Sequence, residues 1–163
     1  MKLSDFVVSP AIIANLKATD RDGAIREMVV ALADAGALPK AAVDPVIDAL
    51  IKREKNGSTG FGKGVAVPHA KHALVKKMIG TVGRSEDGID FASLDHQPVH
   101  TVFLLLSPLG DDESKRQQLT QQHLQAMNII FTNLQEDAFR RFLRQSNTRQ
   151  AIVELLEEFH QGK

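Results

Sequence analysis

Apolar residues recur at helical spacing in several stretches of the chain and form short unbroken runs in others. Ile25, Met28, Val29 and Leu32 fall on one face of a predicted helix over residues 21–35, with Asp20 placed to cap it and Gly36 to end it. Val46, Ile47, Leu50 and Ile51 form a second stripe. They predict a helix with Asp44 as N-cap and Pro45 in its first turn, ending near Asn56. Leu119, His123, Met127, Ile130 and Leu134 lie at i, i+4, i+8, i+11 and i+15, the buried stripe of a long helix that Asp111, Asp112 or Ser114 can cap. Two further helical segments cover 137–143 and 148–159, followed by a frayed tail at 160–163.

Segments 11–14, 65–67, 78–83 and 101–106 read as strands. Val102-Phe103-Leu104-Leu105-Leu106 is apolar at every position, the pattern of a central strand covered on both faces. Strands interspersed with helices predict an α/β fold, a single layered domain over 1–163 with a mixed β-sheet flanked by helices. No repeat, low-complexity tract or internal linker interrupts it.

Composition narrows the function. The 20 Lys and Arg residues equal the 20 Asp and Glu residues, which argues against a nucleic-acid binder. Cysteine is absent, so neither a disulfide framework nor a thiolate metal site is available. No stretch approaches the length of a membrane span and the first residues lack a signal-peptide core, so no membrane insertion and a cytoplasmic location are expected.

The chemistry concentrates in Gly57-Ser58-Thr59-Gly60-Phe61-Gly62-Lys63-Gly64-Val65-Ala66-Val67-Pro68-His69. Such a run lets backbone come close to a ligand, and its consecutive N–H groups can form an anion-binding concavity. Gly57, Ser58, Thr59, Gly62 and Gly64 are therefore the candidate phosphate-binding residues. Ser58 and Thr59 can equally spend their hydroxyls on closing the turn. A nucleotide P-loop is excluded because Gly64 stands where a magnesium-binding hydroxyl is required, and because the loop follows a helix and opens a strand, the reverse of that motif. A histidine held by Pro68 beside an anion site suggests an imidazole that takes and gives a phosphoryl group, since neutral imidazole keeps a lone pair at neutral pH.

The segment from Arg53 to Lys71 resembles the active-site signature of the type-2 enzyme IIA domains of the bacterial sugar phosphotransferase system, the fructose, mannitol and nitrogen-regulatory class, and is closest to the nitrogen-regulatory members. Weaker resemblance runs from Leu3 to about Glu157. It implies that His69 accepts a phosphoryl group from an HPr-type carrier and passes it to a cysteine on a separate IIB domain. The alternative it leaves open is a regulatory module whose target proteins read its phosphorylation state. It further implies that Arg53 and His123 line the phosphoryl site, with Asn128 at a polar position nearby, and that no metal or other cofactor takes part. The stretch from Pro108 to His123 is longer than the family's usual pattern, so the place of His123 depends on how that helix is set. Phe61 is a candidate docking contact, and His72, His96 and His100 are expected to be surface or supporting residues.

Overall fold

The strand β5 (Val99–Pro108) organises the sheet. The structure, a computed structural model, describes residues 1–158. In chain order the elements are α1 (Arg21–Asp34), α2 (Val43–Lys55), β1 (Gly60–Gly62), β2 (Val65–Ala66), β3 (His69–His72), β4 (Ile79–Ile89), β5, α3 (Glu113–Gln135), α4 (Asp137–Gln145) and α5 (Arg149–Glu158). Along one edge β5 pairs antiparallel with β4, from Ile79 opposite Leu106 to Ile89 opposite Val99. Along the other edge it pairs parallel with β2 and then with β3, and β1 folds back antiparallel on β2. The sheet is mixed, as the pattern predicts.

Alternation along β5 divides the core. Val102, Leu104 and Leu106 pack with Ile25, Met28 and Leu32 of α1 and Val46, Ile47 and Leu50 of α2. Phe103 and Leu105 pack with Ala126, Ile130 and Leu134 of α3, with Phe139 of α4 and with Ile152 of α5. A strand buried on both faces therefore lies between two helical layers, which is why its sequence reads as continuously apolar.

Four expectations need correction. Residues 11–14 are not a strand. Ser9–Ala11 form a 3₁₀ turn, and the segment touches the outer edge of β4 only at intervals, through Val8 N–H to Gly80 O (2.8 Å) and Ile13 N–H to Val82 O (2.9 Å). Pro10 has no N–H to continue a ladder. Asp44 is not the N-cap of α2, because a 3₁₀ turn at Lys40–Ala42 runs straight into the helix and leaves Asp44 in its first turn. The strand over 65–67 does not itself deliver His69. It breaks at Val67-Pro68, where Val67 N–H turns back to Thr59 O and the carbonyl of Pro68 accepts from Leu105, so that His69 opens a new strand on the same edge of β5. His100 is buried rather than superficial, with Nδ1 bonded to Ser85 O at 3.0 Å. The caps at Asp20 and Asp112 form as expected, each carboxylate accepting a backbone N–H three residues on. The end of the last predicted helix at Phe159 and the tail beyond it lie outside the described residues.

Candidate functional site

His69 stands where three parts of the chain converge. The last turn of α2 brings Arg53 and Glu54, the break at Pro68 presents the imidazole at the start of β3, and α3 crosses above it with His123. The His69 and His123 rings lie 5.7 Å apart between centroids, inclined at 47°. The added length before α3 thus leaves His123 beside His69.

His69 Nδ1 lies 2.8 Å from Val67 O. A carbonyl oxygen can only accept, so Nδ1 carries the proton and Nε2 keeps the lone pair. Burial lowers the pKa of His69. The Val67 bond opposes that shift, Arg53 adds to it, Glu54 opposes it and Lys71 adds to it. Burial also pushes His123 down, to about 4, with His69 and Lys71 contributing. Both imidazoles are therefore neutral at neutral pH. His123 is only 5% exposed, and the hydroxyl of Ser107, on β5, lies 2.6 Å from its Nδ1. When that hydroxyl donates, the Nε2–H of His123 is left as a free donor.

Arg53 donates from Nη1 to Gly57 O at 2.8 Å, which ties the guanidinium to the start of the glycine loop. Glu54 is 3% exposed and holds the same loop from inside. Its carboxylate accepts from the Thr59 amide at 3.1 Å and from the Thr59 hydroxyl. The Ser58 hydroxyl donates to Phe91 O and accepts from Gly60 N–H. Gly57 N–H donates to Glu54 O.

These bonds correct the picture of the loop as an open phosphate cradle. The hydroxyls of Ser58 and Thr59, and the amides of Gly57 and Thr59, are already engaged in building the turn. Gly62 and Gly64 are carried away from His69. Val65 pairs with Thr101 whereas His69 pairs with Leu105, an offset of roughly 13 Å along the strand. Gly62, Lys63 and Gly64 all have positive φ (104°, 60° and 78°), so the glycines serve the tight β1–β2 turn. Phe61 is half-buried, edge-on to Phe131 of α3 with ring centroids 5.0 Å apart. Asn128 is exposed on α3, one turn before Phe131. His72 lies on β3 and accepts from Leu74 N–H, and His96 is exposed in a loop. Among the described residues no group of three or more His, Cys, Asp or Glu side chains could hold a metal ion.

Sequence reasoning missed two polar groups. Glu54 carries no role in the sequence reading, although a carboxylate followed five residues later by a loop threonine is a readable sign of a loop anchor. Ser107 is the one hydroxyl ending the apolar run of β5, and a buried polar residue at that place needs a partner.

The family model described as "Phosphoenolpyruvate-dependent sugar phosphotransferase system, EIIA 2" matches residues 6–159. The chain belongs to this family. It is 35% identical over 156 residues to a nitrogen regulatory protein of Bradyrhizobium diazoefficiens, covering 96% of this chain and 95% of that protein. It is 32% identical over 158 residues to a fructose-specific EIIABC component of Bacillus subtilis, covering 97% of this chain but only 23% of that longer protein. Among solved structures, nitrogen regulatory protein IIA-Ntr from Neisseria meningitidis superimposes with a TM-score of 0.79 at 26% identity, covering 94% of this chain and 98% of that one. Two of the three branches named by the resemblance, nitrogen-regulatory and fructose-specific, are thus represented among these relatives of this EIIA domain. Among its described residues no helix is long and apolar enough to cross a membrane.

Proposed function

We propose that this domain is a phosphoryl carrier acting through Nε2 of His69. The lone pair on Nε2 attacks the phosphorus of a phosphohistidine on an HPr-type carrier. A new N–P bond forms as the donor's N–P bond breaks, and the donor imidazole leaves with the electron pair. In the second step a thiolate of a IIB domain attacks the same phosphorus and His69 departs as neutral imidazole. The carrying observation is the bond from His69 Nδ1 to Val67 O, which fixes the tautomer and leaves the nucleophilic nitrogen free.

The surroundings supply positioning and charge stabilisation. Arg53 keeps further N–H groups beyond the one bound to Gly57 for the equatorial oxygens. His123, neutral and oriented by Ser107, offers one N–H to the moving group without competing as a base. The relative whose name joins the A, B and C parts in one component supports a IIB domain as the onward acceptor. A location in the cytoplasm, with the carrier, follows from this role.

The match across nearly the full length of a nitrogen regulatory protein supports a second reading, in which target proteins sense the phosphorylated state of the same site. The two diverge only after His69 is loaded. Incubation with a phosphorylated HPr-type carrier bearing labelled phosphate should label the wild type and leave folded His69→Ala unlabelled. Label on His69→Ala would overturn the proposal. Transfer of the label to a IIB domain then selects the relay over the sensor.

A further inference from the structure

A second feature lies beyond the C-terminal ends of β3 and β5. The loop over 73–78, the turn after β5 and the first turns of α3 enclose a groove of about 780 Å³. Lys76, Lys77, Lys115 and Arg116 line it, and Asp111 is the one carboxylate among its described lining residues. The excess is local, because the chain as a whole is neutral. Among the described residues none of these four cations is in a salt bridge, and all four are exposed. Leu74 and Leu109, each 43% exposed, stand at the same groove, over a floor that includes buried Val75 and Ala42.

We infer that this groove docks an acidic segment of a partner protein, with carboxylates meeting the four cations and one or two apolar side chains seated between Leu74 and Leu109. Charge complementarity selects the occupant. Four unpaired like charges around a hydrophobic trough are a standing repulsion that an acidic, partly apolar strand or helix relieves while burying the leucines. Nucleic acid fits less well. The groove offers no aromatic platform for bases, and the neutral chain lacks the extended basic surface that tracks a phosphate backbone. On α3 the groove reaches Leu119 and Gln122, the latter next to His123 in the chain, yet it shares none of its described lining residues with His69, Arg53, Ser107 or His123. It is a surface additional to the phosphoryl site and does not depend on that site's proposed chemistry.

The test uses the full chain and a fluorescein-labelled helical peptide rich in glutamate, with two leucines one turn apart, read by anisotropy at low and high salt. Saturable, salt-sensitive binding is expected. The double variant Lys77→Glu/Lys115→Glu should weaken it about tenfold, from the summed loss of exposed charge pairs. Replacing the peptide's leucines by glutamine should weaken it as well. His69→Ala should bind the peptide as the wild type does, and the double variant should still accept label at His69. The inference is overturned if the wild type does not bind at low salt, if the charge-reversed protein binds equally well, or if the leucine-free peptide or duplex DNA binds as tightly. Loss of binding in folded His69→Ala would place the peptide on the phosphoryl site and overturn it too.

Discussion

One hydrogen bond to a carbonyl sets the tautomer of His69 and leaves the lone pair on Nε2, and a hydroxyl meets Nδ1 of the neighbouring His123. The second is the more exposed to test. Ser107→Ala removes the partner of His123 Nδ1, lets the ring change tautomer and leaves a buried nitrogen without its bond. Losing a donor aimed at the transferring group costs about 10²–10³ in rate, and a misdirected His123 should approach that loss. Ser107→Thr, which keeps the hydroxyl, should recover most of it. Rapid-quench measurement of label transfer from the phosphorylated carrier checks this, and an unchanged rate in folded Ser107→Ala would show that His123 needs no orienting.

Burial of the two imidazoles also predicts how stability follows pH. Both folded pKa values lie below the unfolded value, so between about pH 6.5 and the folded values the unfolded chain binds more protons than the folded one. Stability is then full above the unfolded pKa and falls as the pH drops through that window. For His123, falling from 6.5 to about 4, the effect is at most about 3 kcal/mol. Urea unfolding from pH 7 to 4.5 should show this decline, and His123→Gln should flatten it. A wild type equally stable at both ends would contradict the buried, neutral state of His123.

At the scale of elements, the β1–β2 hairpin shows where sequence proximity misleads. The glycine run and His69 are neighbours in the chain, and an anion cradle beside that histidine is the natural reading. The hairpin instead sends Gly62 and Gly64 along β5 away from His69, and only the stretch from Arg53 to about Gly60 stays at the site. Strand pairing decides this, and no single segment encodes it. Gly64 therefore has a conformational task. At φ 78° a side chain is strained, although a Cβ there would meet nothing nearer than 3.8 Å. Gly64→Ala should cost about 1–2 kcal/mol of stability and leave the phosphorylation rate per folded molecule unchanged. Thermal melts beside transfer rates separate the two effects, and a slowed rate in fully folded protein would restore the loop to the phosphate.

Across the whole molecule, legibility follows the range of the interaction. The helices of α1 and α3 were readable with their caps, because period and cap chemistry are local. The double-sided burial of β5 was readable because it leaves an uninterrupted apolar run. His69, Arg53 and His123 stand out in the sequence, and the fold brings His69 and His123 to ring distance. Ser107 meets His123 only through tertiary register, whereas Glu54 reaches Thr59 five residues on through a turn that no hydrophobic period marks. Arg84 is a structural counterpart. It is 5% exposed and donates to Arg144 O and Ala14 O, joining the N-terminal segment to the end of α4. Alone in the sequence it is one more cation in an edge strand.

The central claim is that phosphate enters and leaves through one nitrogen of one histidine. Long-range ¹H–¹⁵N correlation on ¹⁵N-histidine-labelled protein, recorded after loading from a phosphorylated HPr-type carrier, reads that nitrogen directly. The predicted spectrum shows a single phosphorylated ring, His69, modified at Nε2 with Nδ1 still protonated. Phosphate on His69 Nδ1, or on His72 or His123, would contradict it.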